Sequence, residues 1–203
     1  KSVFVAVYDM HGGKPAVSTV RRINAGADTV ALEIKVGART DAFVLQFKDR
    51  RMVEFGKVKT DARVAFAQDV EGKPSLWMIE GTSLAAGGKS ISAEAARFVA
   101  PVTAMDKMSF TVGAPVKKAS LGRWGVLVHD KAEGHTHAYP IASMAGKQVH
   151  LRMPPGLKMA GGKSTEMFSP WRTFKDGGEL RIPTAVSTRS YRAGEYPFPA
   201  PLA

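Results

Sequence analysis

Apolar and polar residues alternate with a period of two through much of this chain, and that period admits strands and little else. In Thr29–Val36 the residues Val30, Leu32, Ile34 and Val36 fall on one face of an extended backbone. Phe43, Leu45 and Phe47 repeat the pattern over residues 41–47. The link Gly37-Ala38-Arg39-Thr40 is short enough to make the two segments an antiparallel hairpin. Further strands are expected over 51–55, 63–68 and 76–79, separated by Lys48-Asp49-Arg50, Gly56-Lys57 and Glu71-Gly72-Lys73-Pro74. Turns come about every ten residues, the rhythm of a sandwich. The expected fold class is therefore all-β, an antiparallel β-sandwich with a smaller β-rich C-terminal portion.

One segment departs from the pattern. Residues 92–99 hold good helix formers behind a possible Ser92 cap, although they are too few to stand alone and surrounding strands could override them. Pro101, Pro115 and Lys117-Lys118-Ala119-Ser120 then mark a change of register, which places a soft boundary near Val112. The expected organisation is a first part of the sandwich over 1–112 and a meander with loops over 113–203, as two parts or one continuous domain. In the second part, 124–130, 138–143 and 148–153 read as a three-strand meander turning at Lys131-Ala132-Glu133-Gly134 and Ala145-Gly146-Lys147. A Gly-rich stretch follows until 179–183 restores a strand, and Pro197, Pro199 and Pro201 exclude the tail from a central strand. No repeat of 20 to 50 residues is evident, which argues against a propeller or solenoid.

Composition narrows the partners more than the fold. With 29 Lys and Arg against 18 Asp and Glu the formal charge is +11, a field that favours polyanions. Residues 113–203 carry 13 basic and 6 acidic side chains, so the second part is the more basic one. Absence of cysteine excludes disulfides, thiolate metal sites and a cysteine nucleophile. No apolar run reaches the length of a membrane span, so membrane insertion is not expected. Nucleic acid is not expected either: the aromatics stand singly, and neither a basic helix nor an RNA-binding motif is present. The first residues, Lys1 to Asp9, already read as strand, and the chain is expected to be the β-rich end of a longer one.

Candidate chemistry is sparse. His129, Asp130, His135 and His137 form one concentration of potential metal ligands: His135 and His137 are two apart on a strand and share a face, and a hairpin would bring His129 and Asp130 opposite them. Such a nitrogen and oxygen set suits a divalent metal such as zinc, though no cofactor is required by the sequence. The alternatives are a solvated polar hairpin tip, or binding and acid-base work by His135 and His137. Tyr8 and His11 near the end of the first strand could exchange protons, but alternation puts them on opposite faces. Gly87-Gly88-Lys89-Ser90 and Gly161-Gly162-Lys163-Ser164 lack the spacing of a phosphate loop and read as turns. Trp171, Arg172 and Phe174 offer an aromatic platform beside a cation, able to stack on a sugar ring while Arg172 pairs with its carboxylate or sulfate. The same residues could instead plug the end of a sandwich. Catalytic residues are not identifiable.

Three groups of segments resemble the C-terminal β-sheet region of heparinase II/III-like polysaccharide lyases. They are Val3-Phe4-Val5-Ala6-Val7-Tyr8-Asp9; Thr60 to Phe66 with Glu80-Gly81-Thr82-Ser83-Leu84; and Gly125 to Asp130 with His137-Ala138-Tyr139-Pro140-Ile141. The resemblance touches most of the chain and rests on strand patterns. It implies an upstream α/α-toroid domain, a substrate that is an acidic, uronate-containing polysaccharide cleaved by β-elimination, and a periplasmic or secreted location. It also implies that this region scaffolds the toroid and lines the cleft with basic side chains, the chain alone being inactive. Two rival readings remain: a non-catalytic carbohydrate-binding or accessory module, and a structural or interaction domain of a surface or phage assembly.

Overall fold

The computed structural model describes residues 6–7, 13–14, 16–117, 121–130 and 135–188, apart from the side chain of Asp130. Every regular element in them is a strand, and these strands pair antiparallel. The expected helix over 92–99 is absent: Ser92 ends one strand and Arg97 begins another, and the segment is too short to resist its sheet partners. The chain divides into two compact units, Lys1–Glu94 with Val186–Ala203, and Ala95–Ala185. The division falls after Glu94 rather than near Val112, because the two strands between those points belong to the second unit's sheet.

In the first unit, β1 (Val17–Ile23), β2 (Thr29–Val36), β3 (Arg39–Gln46), β6 (Val64–Val70) and β7 (Lys73–Ile79) form one sheet, and β4 (Val53–Phe55), β5 (Val58–Thr60), β8 (Ser83–Ala86) and β9 (Lys89–Ser92) form a second. Ala42, Val44, Ala65, Ala67, Leu76 and Met78 of the larger sheet share a core with Val53, Val58, Leu84 and Ala86 of the smaller one. This is the expected sandwich. The alternation that predicts it marks the other face, however. Leu32, Phe43, Phe66 and Trp77 stand in one cross-strand row, one residue out of step with the core row Ala42, Ala67 and Leu76. Thr29, Val30, Ala31 and Leu32 are all buried, so β2 is covered on both faces. Small residues on the sandwich side hide that second face from a hydrophobicity pattern.

A polar cluster closes one end of this sandwich. Asp61 accepts from the backbone amides of Thr82 and Ser83, the Thr82 hydroxyl and the Arg50 guanidinium. Burial pushes its carboxyl up, yet these donors together hold it below the ordinary carboxylate value. Gln46, buried, satisfies its amide on the backbone of Arg51 and Ala62. These groups fix loops rather than present chemistry.

The second unit is a closed barrel, which the sequence pattern does not announce. Its order is β10 (Arg97–Asp106), β11 (Ser109–Val112), β14 (Gln148–Leu151), β13 (His135–Ala145), β12 (Trp124–Asp130) and β18 (Glu179–Pro183). Two long strands make the corners. β10 pairs with β18 up to Pro101 and with β11 from Val102, and β13 pairs with β12 up to Pro140 and with β14 from Ile141. A register shift follows each switch, at Val102/Ala104 and Ile141/Ser143. Proline cannot donate to a ladder and is tolerated where pairing changes hands, so Pro101 and Pro140 sit where the sheet bends on itself. Closure leaves no open edge on those six strands. Phe110, Val112, Leu127, Ile141, Val149, Leu180 and Ile182 fill the interior.

A small sheet of β15 (Leu157–Ala160), β16 (Lys163–Glu166) and β17 (Thr173–Phe174) follows. Leu157 and Phe174 join the barrel core, so its inner face covers part of the barrel. Both Gly-Gly-Lys segments are tight two-residue turns, with φ of 57° and 79° at Gly87 and Gly88 and 56° and 77° at Gly161 and Gly162. Both segments are the turns their sequence leads one to expect. Finally β19 (Ala185–Ser187) returns to pair beside β7.

Candidate functional site

Alternation along β13 places His135, His137, Tyr139 and Ile141 on one face, and the burial of Tyr139 and Ile141 in the barrel core shows that this face points inward. His137 stands opposite Leu127 in the ladder, and His129 follows two residues on along β12, where the register shifts. The structure thus brings the three histidines together at one end of the barrel, as the hairpin reading anticipates. The rings of His129 and His137 meet edge to face with centroids 5.4 Å apart, and His129 stacks on Phe174 at 4.0 Å. His135 lies against the same Phe174 at 5.7 Å.

Residues from the small sheet complete the cluster. Glu166 Oε1 is 3.4 Å from His137 Nε2 and 3.3 Å from Arg172 Nη1, so the carboxylate bridges the imidazole and the guanidinium. Ser164 donates its hydroxyl hydrogen to the Asp176 carbonyl at 2.6 Å and lies 3.3 Å from His129 Nδ1. A hydroxyl has one hydrogen, so Nδ1 of His129 is the donor in that contact and Nε2 carries the lone pair. That Nε2 is buried without a hydrogen-bond partner among the described residues. Burial, then the neighbouring His137, lowers the His129 pKa to about 4 against the pull of Asp176 and Glu166. His129 is neutral at pH 7.

This geometry limits the chemistry. Ser164, His129 and Asp176 are the residue types of a nucleophilic triad, but Ser164 is 0% exposed and spends its proton on a backbone carbonyl. Tyr139 is 4% exposed and donates to the Pro155 carbonyl at 2.7 Å, and burial followed by the Glu166 charge pushes its phenol up from the ordinary value. A phenol so placed is a poor base for proton abstraction. Among the described residues no group of three or more His, Asp or Glu side chains is arranged to hold a metal, and the Asp130 side chain lies outside what is described. Tyr8 and His11 also lie outside the described residues.

The outer face of the small sheet is different. Pairing of Lys158 with Thr165, Thr165 with Thr173 and Ala160 with Lys163 sets those side chains on one side, opposite Leu157, Ser164 and Phe174. Lys158 and Lys163 are exposed there, and Lys175, just past β17, is exposed as well. The loop from β16 to β17 adds Phe168, 89% exposed, and Trp171, 81% exposed. It is pinned by hydrogen bonds from Met167 N to Gly156 O, from Arg172 N to Ser169 O and from Glu166 N to Arg172 O. The two expectations for Trp171, Arg172 and Phe174 are therefore divided between residues. Phe174 is the plug, and Trp171 and Arg172 face solvent.

Sequence reading misses Glu166, Tyr139, Ser164 and Phe168. The alternation Lys158, Ala160, then Lys163, Thr165 across Gly161-Gly162 is the signal that marks the outer face. Fold and site define an all-β protein with a basic, aromatic surface on a barrel. Comparison with protein-family models, with curated proteins and with solved structures finds no match.

Proposed function

We propose that this chain is a glycan-holding β region of a polysaccharide lyase, and that it engages an acidic, uronate-containing polysaccharide on the outer face of the small sheet. The observation that carries the reading is the pair of exposed aromatics, Phe168 and Trp171, on a loop pinned at one end of a small sheet that also exposes Lys158 and Lys163, with Arg172 and Lys175 exposed on the adjoining chain. An indole stacks on the C–H face of a sugar, lysines answer carboxylates or sulfates, and Thr165 and Thr173 offer hydroxyls at the same level. Glu166, itself held by His137, orients Arg172. Elimination next to a uronate carboxylate needs an accessible base. Tyr139 and the Nε2 atom of His129 are buried, which favours a cleft wall or a binding module over a catalytic centre in this cluster.

The test is calorimetric titration with polygalacturonate and with neutral dextran, using Trp171→Ala and Phe168→Ala. Loss of stacking at either residue should weaken polygalacturonate binding about tenfold, and dextran should bind weakly or not at all. Equal affinity of wild type and both variants would remove the aromatic surface from the account.

A further inference from the structure

The sandwich of the first unit opens into a cavity of about 250 Å³ that the proposed function does not use. Its origin lies in side-chain size. Along the core face of the larger sheet, the row Val44, Ala65 and Met78 is filled, but the next rows are Glu33, Ala42 and Ala67, then Thr40, Asp69 and Pro74. Small side chains there leave space beneath the β4–β5 turn, where Phe55, Gly56 and Lys57 form the opposite wall.

The lining is apolar with a few polar groups, the usual makeup of a small-molecule site, and its volume is that of a single small ring. Its charges nearly cancel. Glu33 is paired with Arg21 at 3.2 Å, which leaves Asp69 and Lys57 as opposite charges on one cavity. Asp69 has a buried carboxylate oxygen, Oδ1, without a hydrogen-bond partner among the described residues. Buried polar atoms are normally partnered, so this one marks a missing donor. A cation would meet Lys57, and an anion would meet Asp69. A neutral ring rich in hydroxyls meets neither objection: it donates to Asp69, accepts from Lys57, exchanges with Thr40, and rests its C–H face on Phe55, Ala42 and Ala67.

We propose that this cavity, between the β4–β5 turn and the β3–β6 face, is a binding site for a neutral monosaccharide-sized polyol ring, with Asp69 as its hydroxyl acceptor. It is independent of the aromatic surface, so either can fail alone. The test is amide NMR of the whole chain titrated separately with glucose, galactose, mannose, N-acetylglucosamine, ethanolamine and glucuronate. At least one neutral sugar should shift the Gly56, Ala67 and Gly87 amides saturably, with Kd of about 1–10 mM. Asp69→Asn should weaken that binding at least about tenfold, and Lys57→Ala, at an exposed turn, should weaken it several-fold without disturbing the fold. The proposal is overturned if no neutral sugar shifts these amides at about 100 mM, or if only ethanolamine or glucuronate does. Unchanged binding in folded Lys57→Ala and Asp69→Asn would overturn it equally.

Discussion

His129 shows how a residue type can suggest one chemistry and its surroundings impose another. On a solvated hairpin tip it would titrate near 6.5, but burial first and the neighbouring His137 second lower it to about 4. The folded value lies below the unfolded one, so the unfolded chain binds the proton first as pH falls. Its contribution to stability is therefore complete above about pH 6.5 and is lost as pH drops toward 4, a loss of about 2 kcal/mol after allowance for the partial exposure of the ring. Histidine NMR should show His129 neutral at pH 5, and thermal melts should show His129→Phe losing less stability than wild type between pH 7 and pH 4. A midpoint for His129 near 6.5 would contradict the enclosed cluster. The sequence shows that His135 and His137 share a face, because period two is local. It cannot show that Glu166 meets His137 or that Phe174 covers His129, since those residues arrive from strands far along the chain.

Strands were legible wherever polarity alternates: β12 and β18 appear with the bounds expected of them, and β2 with β3 form the expected hairpin. Their partners were less so. Barrel closure depends on β10 and β13 each serving two neighbours, and nothing in a strand's own pattern states which strands it will pair with. Pro101 reads in sequence as a break and acts in the fold as a corner. The close approach after β17 was equally silent. A Cβ on Gly177 would lie 2.2 Å from the Val102 carbonyl oxygen, and the following amide, Gly178, supplies the carbonyl that accepts from Val102 N. Gly177→Ala should therefore cost about 3 kcal/mol in urea unfolding by forcing β10 away from the segment before β18. A cost below about 0.5 kcal/mol would mean that the backbone yields there freely.

At the scale of the whole molecule, the positive charge of +11 and the two-unit organisation acquire separate meanings. The first unit keeps a nearly neutral cavity, and the second carries lysines and exposed aromatics on one small sheet. Net charge alone predicts attraction to any polyanion, falling steeply with salt. A shaped surface predicts something narrower. The chain has three tryptophans, of which Trp77 is buried, Trp124 is partly exposed and Trp171 is almost fully exposed, so their indole signals report three different places. The most direct test is to follow those signals while adding a short oligogalacturonate at about 150 mM salt, where long-range charge is largely screened. A saturable shift of the Trp171 indole together with the Thr165 and Thr173 amides is expected, while Trp77 stays unmoved. A shift confined to Trp124, or no shift at any tryptophan while binding persists only at low salt, would contradict it.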